Sequence, residues 1–258
     1  MTLFITIFIG ACLSMLLLLY MYFEAHKNVI VSSELYFNDF PDSFGKIRIY
    51  FISDIHKRDI SSSMLNSIVD NVDLVIIGGD LTEKNVPFTR VEENIKKLRA
   101  LGPCYFVWGN NDYEVDYRKL DSILLSNGVK ILDNTSVTFE SSTGEKICLL
   151  GVDDIAKERD RLDLAILDSH DPSFKILVSH NPQIVNQLKL EYHIRLILSG
   201  HTHGGQIRIG KFGPYKRGGV FTYGHSKLLI SNGYGTTAIP LRLGAPAETH
   251  LLTIAHKK

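Results

Sequence analysis

The stretch IRIYFISDIH, residues 47–56, decides the fold. Ile47–Ile52 is a short apolar run, which reads as a β-strand, and it ends abruptly in Ser53 followed by Asp54-Ile55-His56. The same arrangement returns four times along the chain. Leu74–Gly79 runs into Asp80, Tyr105–Gly109 into Asn110-Asn111-Asp112, Lys175–Ser179 into His180-Asn181-Pro182, and Leu196–Gly200 into His201-Thr202-His203. Each cluster alone has an ordinary explanation. An Asp after a Gly pair caps a helix, Asn pairs tolerate left-handed turns, and a lone His sits in many cores. Five such clusters, each at the end of an apolar run, form a pattern. In open α/β sheets the carboxyl ends of the strands line the ligand crevice, so the five are expected to converge.

Helical periodicity separates the strands. Val91, Ile95, Leu98 and Leu101 lie on one face, as do Leu120, Ile123 and Leu124. Pro182 opens a further helix at a favoured first-turn position. Thr135–Leu150 reads as a hairpin turning near Ser142-Thr143-Gly144, and Ile147–Leu150 is one of its strands. The C-terminal third is Gly-rich and strand-like, ending in Thr249–Ile254. The βα alternation with added hairpins predicts a layered α/β domain. Residues 47–258 are expected to form this domain, 28–46 a polar linker with Pro41 and Gly45, and 1–27 a separate segment.

That segment is distinctive. Leu3–Phe23 is 21 residues without a charge, roughly 30 Å as a helix, enough to span a bilayer core. No Lys or Arg precedes it, and no A-x-A site follows it, which separates it from a signal peptide. The expectation is an uncleaved single-pass anchor in the cell membrane, with Tyr20, Tyr22 and Phe23 at the interface. Lys27 beside Glu24 gives the positive-inside rule almost nothing to count, so the orientation stays open. Deleting Met1–Lys27 is expected to leave a folded domain.

Composition narrows the function further. The chain has 258 residues, 28 Lys+Arg and 28 Asp+Glu, and is 45% hydrophobic. That excludes a disordered or collagen-like chain, and the balanced charge argues against a dedicated nucleic-acid binder. The three cysteines, Cys12, Cys104 and Cys148, are too scattered for a disulfide framework or a Cys-rich zinc site. No nucleophile elbow, P-loop or dinucleotide fingerprint is present. The strand ends offer Asp54, His56, Asp80, Asn110, His180, His201 and His203. Two carboxylates, four imidazoles and an amide oxygen form a mixed N/O donor set suited to Mn, Fe or Zn rather than Ca. Seven donors exceed one tetrahedral zinc and suit two ions about 3.5–4 Å apart sharing a carboxylate, with metal-activated hydroxide as nucleophile.

Asp54-Ile55-His56, Gly79-Asp80, Gly109-Asn110, His180 and Gly200-His201-Thr202-His203 resemble the five-block signature of the calcineurin-like metallophosphoesterases. Gly204-Gly205-Gln206, Ser231–Gly235 and Pro240-Leu241-Arg242 resemble the bacterial membrane-associated branch. The resemblance implies a four-layer αββα sandwich. It assigns Asp54, His56, Asp80 and His203 to one metal, and Asp80, Asn110, His180 and His201 to the other. It also marks one departure. The third block usually continues with a His that protonates the leaving group or holds phosphate, and here that catalytic position is Asn111.

The expected function is hydrolysis of a phosphodiester or pyrophosphate bond at the membrane, with a lipid-linked or nucleotide-sugar substrate and no nucleic-acid partner. A broad phosphomonoesterase and a metal-binding scaffold without catalysis are the alternatives. Outside the signature, Arg208, Lys211, Lys216, Arg217 and Arg242 read as a solvated basic loop or as contacts for phosphate or anionic lipid. His170 and His225 read as turn residues or as groups behind the ligands.

Overall fold

The computed structural model describes residues 1–257. The helix α1 (Thr2–Ala25) precedes a first strand β1 (Val29–Phe37) and the signature strand β2 (Lys46–Ile52). Three α/β turns of chain follow: α2 (Ser62–Asn66), β3 (Leu74–Ile77), α3 (Phe88–Arg99), β4 (Cys104–Phe106), α4 (Tyr117–Ser126) and β5 (Lys130–Ile131). The hairpin β6 (Thr135–Glu140) and β7 (Lys146–Gly151) leads to α5 (Leu162–Leu167), β8 (Phe174–Val178) and β9 (Ile194–Ser199). A second hairpin, β10 (Gly219–Tyr223) and β11 (Ser226–Ile230), precedes the last strand β12 (Glu248–His256).

Two six-stranded mixed sheets result, in the orders β1-β12-β2-β3-β4-β5 and β10-β11-β9-β8-β7-β6. β2 to β5 run parallel, as do β7, β8, β9 and β11. The central stretches of these strands are apolar because both faces are covered. Ile49, Phe51 and Ile76 meet Ile176, Val178, Leu196 and Leu198 between the sheets. Tyr50, Ile52, Val75 and Ile77 point the other way, onto Val91, Ile95, Leu98, Leu120 and Leu124 of α3 and α4. Leu177 and Ile197 pack outward with Leu162 and Ala165 of α5. The layers are therefore α, β, β and α, the architecture expected from the signature.

Three local readings change. Residues 28–46 are not a free linker, because β1 pairs in parallel along the whole length of β12, Val29 opposite Glu248 through Phe37 opposite His256. Its alternating exposure, with Leu35 and Phe37 buried, is that of an edge strand, and its polar outward residues gave it the appearance of a linker. The helix opened by Pro182 is a 3₁₀ turn over Pro182–Gln187. The helix α1 is apolar and long enough to cross a membrane, but its last turn belongs to the domain. Met21, Glu24 and Ala25 are buried, Arg242 N donates to Met21 O at 3.0 Å, and Ala247 N donates to Glu24 O at 3.4 Å. Arg58 donates to the carbonyls of Ala25, His26 and Lys27. A cut after Lys27 removes all of these partners.

Candidate metal centre

The carboxyl ends of β2, β3 and β4 in one sheet abut those of β8 and β9 in the other. Asp54 N donates to Gly79 O at 3.0 Å, Gly200 N to His180 O at 2.9 Å, and His201 N to Asp54 Oδ1 at 3.0 Å. The approach is so close that a methyl group has no room. A Cβ on Gly109 would lie 2.3 Å from Asp80 N, and one on Gly200 would lie 2.4 Å from Asp54 Oδ2.

All seven strand-end donors come together. Asp54, His56 and His203 offer ligand atoms within 4.8 Å of one another, and so do Asp54, Asp80 and His180. Asp80 Oδ2 faces both imidazole groups, 3.8 Å from His56 Nε2 and 3.3 Å from His180 Nε2. His201 Nδ1 lies 3.3 Å from His180 Nε2, and Asn110, Asn111, His201 and His203 line one open cleft with Asp80. The geometry thus has Asp54 common to both clusters, while Asp80 also reaches toward both.

Five of the seven sit in left-handed backbone conformation: Asp54 (φ 54°), His56 (52°), Asp80 (51°), His201 (68°) and His203 (51°). Such angles are uncommon for residues other than Gly, and least costly for Asn, Asp and His. Strained positions persist where surrounding structure over-determines them, and they concentrate at functional sites.

The donor set fits divalent cations by its electron count. His180 Nδ1 is 2.8 Å from Gly78 O, which only accepts, so Nδ1 carries a hydrogen and Nε2 is the nitrogen turned to Asp80. His56 Nδ1 faces Glu83 Oε2 at 3.0 Å, which by the same logic leaves Nε2 bare. Arg242 donates to His203 Nδ1 at 3.2 Å, so in the metal-free chain His203 Nε2 carries the hydrogen and donates to the lone pair of His56 Nε2 at 3.1 Å. Asn110 completes the pattern. Its Nδ2 donates to Asn111 Oδ1 at 2.6 Å, which turns Oδ1 inward, buried and without a hydrogen-bond donor.

Protonation behaviour tells the same story. Burial alone would lower the His180 imidazole, but Asp80 and Asp54 overcome it and push it up to about 10. In the metal-free chain a proton takes the place of a cation. Burial pushes His203 down to about 3, with the charges of His56 and Arg242 adding to the effect. Burial opposes ionisation of Asp54, yet the His203 and His180 imidazoles hold its carboxyl below the ordinary range.

Four further residues hold the ligands or their loops, in roles that the sequence pattern did not show. Ser53 Oγ donates to Asp54 Oδ2 at 2.6 Å. Glu83 orients His56 and is itself paired with Lys57. Asp112 accepts from Asp80 N, Thr82 N and Gly109 N at 2.9, 3.0 and 2.9 Å, locking the second block to the third. Its position three residues beyond Gly109 is the only hint of this role. Arg242 is fully buried rather than part of a solvated loop. It donates to the carbonyls of Asn232, Gly233, Gly235 and Ala245. His170 and His225 are exposed turn residues. His225 lies in the β10–β11 turn, at the opposite end of β11 from the cleft.

Comparison with known proteins agrees with this centre. The family model described as calcineurin-like phosphoesterase matches residues 47–205. The Bacillus subtilis protein "Uncharacterized protein YpbG" is 53% identical over 81% of this chain and 81% of its own length. "Uncharacterized metallophosphoesterase YkoQ", also of Bacillus subtilis, is 30% identical over 79% of this chain and 82% of its own. The zebrafish (Danio rerio) "Transmembrane protein with metallophosphoesterase domain" is 30% identical over 85% of this chain and 55% of that longer protein. The phosphopantetheinyl hydrolase of Mycobacterium tuberculosis shares the fold, with TM-score 0.50 and 15% identity over 77% of this chain and 95% of its own. Buried Asp/His clusters at the strand ends and the matching family model lead to one conclusion: this chain belongs to the calcineurin-like metallophosphoesterase family, and it is a hydrolase of phosphoric esters.

Proposed function

We propose that the protein is a membrane-anchored phosphodiesterase or pyrophosphatase that uses two divalent ions and acts on a lipid-linked or nucleotide-sugar substrate. The observation that carries the metal reading is the buried cluster of imidazole nitrogens and carboxylate oxygens around Asp54 and Asp80, with Asn110 Oδ1 turned inward. In this reading Asp54, His56, Asp80 and His203 hold one ion, and Asp80, Asn110, His180 and His201 the other. Bound ions supply Lewis-acid activation of water and of the phosphoryl group. Glu83 and Gly78 O fix the tautomers that leave His56 and His180 Nε2 free to bind. The membrane reading rests on α1, whose 18-residue window has a mean hydropathy of 2.5 and no buried residue.

Asn111 gives the reaction its character. Its backbone N donates to Asp80 Oδ1 at 2.8 Å and its Oδ1 accepts from Asn110, which leaves only its amide N–H₂ for the cleft. That group offers a hydrogen bond but no transferable proton. A positioned acid contributes typically 10²–10⁴-fold, so turnover is expected to depend steeply on leaving-group pKa. The test is the purified full-length chain in detergent with Mn²⁺ and a graded series of aryl and alkyl phosphodiesters. Two equivalents of metal, aryl turnover and a selective gain on alkyl esters in Asn111→His support the proposal. One tightly bound ion at saturating Mn²⁺ overturns the two-ion reading, and parallel slopes in both variants leave Asn111 as a positioning residue. Phosphate-containing lipids that accumulate in a strain lacking the protein identify the substrate class.

A further inference from the structure

The basic segment beyond the ligands divides into two parts of opposite behaviour. Arg208 is buried and donates to the carbonyls of Gly204, Lys211 and Tyr215, so the loop folds around it. That scaffold throws the tip outward. Ile209 and Phe212 exchange backbone hydrogen bonds at 2.9 and 3.0 Å, closing a two-residue turn over Gly210-Lys211. At its base the two apolar side chains are 76% and 80% exposed. Tyr215 and Ile239, both exposed, stand beside them on the rim of the ligand cleft. Apolar side chains held out on a stiff turn have no partner within the chain.

Charge and position identify what they meet. From His201 to Ala247 there is no Asp or Glu, while Lys211, Lys216 and Arg217 are exposed around the turn. The turn is also wired to the anchor. Arg208 N donates to Leu243 O at 2.8 Å, Gln206 Nε2 to Thr237 O and Ile239 O at 3.0 and 3.1 Å, and Arg242 N to Met21 O at 3.0 Å. Burial of α1 begins at Met21, and the uncharged residues Leu3–Tyr20 before it cover roughly 27 Å. The bilayer surface therefore falls where the helix meets the domain, one strand of hydrogen bonds from this turn.

We infer that the turn Ile209–Phe212, with Tyr215 and Ile239, is a membrane-inserting wedge that seats the mouth of the metal cleft on an anionic bilayer surface. Apolar side chains enter the headgroup boundary while neighbouring cations meet anionic lipid. The inference rests on the membrane-anchored reading above and deepens it. A cleft held against the headgroups takes phosphoesters from the bilayer plane rather than from bulk water.

The test uses the full chain reconstituted in vesicles of phosphatidylcholine with phosphatidylglycerol brominated high on the acyl chains. Phe212→Trp places a reporter on the wedge, and Leu190→Trp places one on an equally exposed site at the amino end of β9. The chain's one other tryptophan, Trp108, is buried and is subtracted using the unmodified protein. Phe212→Trp emission is expected to shift blue and to be quenched at least about twofold more than Leu190→Trp, with a weaker effect when phosphatidylglycerol is left out. Equal quenching, or a chain that does not sediment with vesicles, overturns the inference. A blue shift that follows protein concentration and ignores bromination assigns the face to a second copy of the chain and overturns it too. Hydrolysis of a soluble aryl diester by the same variants in detergent reports on the hydrolase reading separately.

Discussion

The metal centre and the collar that receives α1 are adjacent regions, both crowded with oxygen and nitrogen lone pairs, and they solve that crowding in opposite ways. In the collar the chain supplies its own cations. Arg242 collects the carbonyls of Asn232, Gly233, Gly235 and Ala245, and Arg58 those of Ala25, His26, Lys27 and Tyr234. At the strand ends the metal-ligand groups are carboxylates, imidazoles and an amide, and among the described residues one arginine alone reaches them, Arg242 donating to His203 Nδ1 at 3.2 Å. One region is complete as folded. The other is completed from outside, which is the physical difference between a structural clasp and a site.

The sharpest way to break this comparison is Asp80→Asn. Removing the charge that faces both imidazole groups is expected to cost both ions and at least about 4 kcal/mol of transition-state stabilisation, roughly a thousandfold in turnover. Metal analysis and turnover on an aryl diester check this. Stability of the metal-free chain should fall as well, because burial opposes ionisation of Asp80 but the His180 and His56 imidazoles hold its carboxyl below the ordinary range. The collar is expected to lose stability first. Arg242→Met leaves a set of buried carbonyls without donors and should cost about 3 kcal/mol of folding stability in a denaturant titration. Metal content in the folded fraction should fall only at the site of His203, whose Nδ1 accepts from the guanidinium at 3.2 Å. If Arg242→Met loses metal but not stability, the two regions are not distinct.

Glu83→Gln sharpens the boundary between them. An amide at this position weakens the hold on the His56 tautomer, so affinity at one site should fall about 10- to 100-fold while the other keeps its ion. Competition titration with a metal indicator reads the two sites separately. The smallest effect is in pH. His180 stays protonated up to about 10 in the metal-free chain and must lose that proton to bind. Each unit of pH lost below that value should therefore weaken apparent affinity about tenfold for one displaced proton, with no loss at higher pH. A flat affinity between pH 6 and 8 would show that no proton is displaced.

How much of this was legible in the sequence follows from the same contrast. The ligands were readable because their spacing is imposed by strand ends, and a strand end is visible as an apolar run that stops. The two core faces were readable for the same reason. The residues that orient the ligands were not. Glu83 lies in a loop and Asp112 in a 3₁₀ turn, and their roles depend on where the second block meets the first and third in space. β1 was missed because an edge strand buries only alternate residues, and Arg242 because burial of a guanidinium depends on carbonyls from two stretches, Asn232–Gly235 and Ala245, that meet only in the fold. Periodicity reports which face is covered and says nothing of what covers it.

The left-handed conformation shared by Asp54, His56, Asp80, His201 and His203 governs which replacements these positions tolerate. Asn and Gly accept such angles readily, whereas β-branched and bulky side chains do not. Alanine scanning at these five sites would mix a loss of donor with a backbone penalty, and a valine would add a steric one. Descendants of this chain that abandon catalysis but keep the fold are therefore confined to a narrow alphabet at the strand ends. Their sequences would still read as a site long after the chemistry had gone.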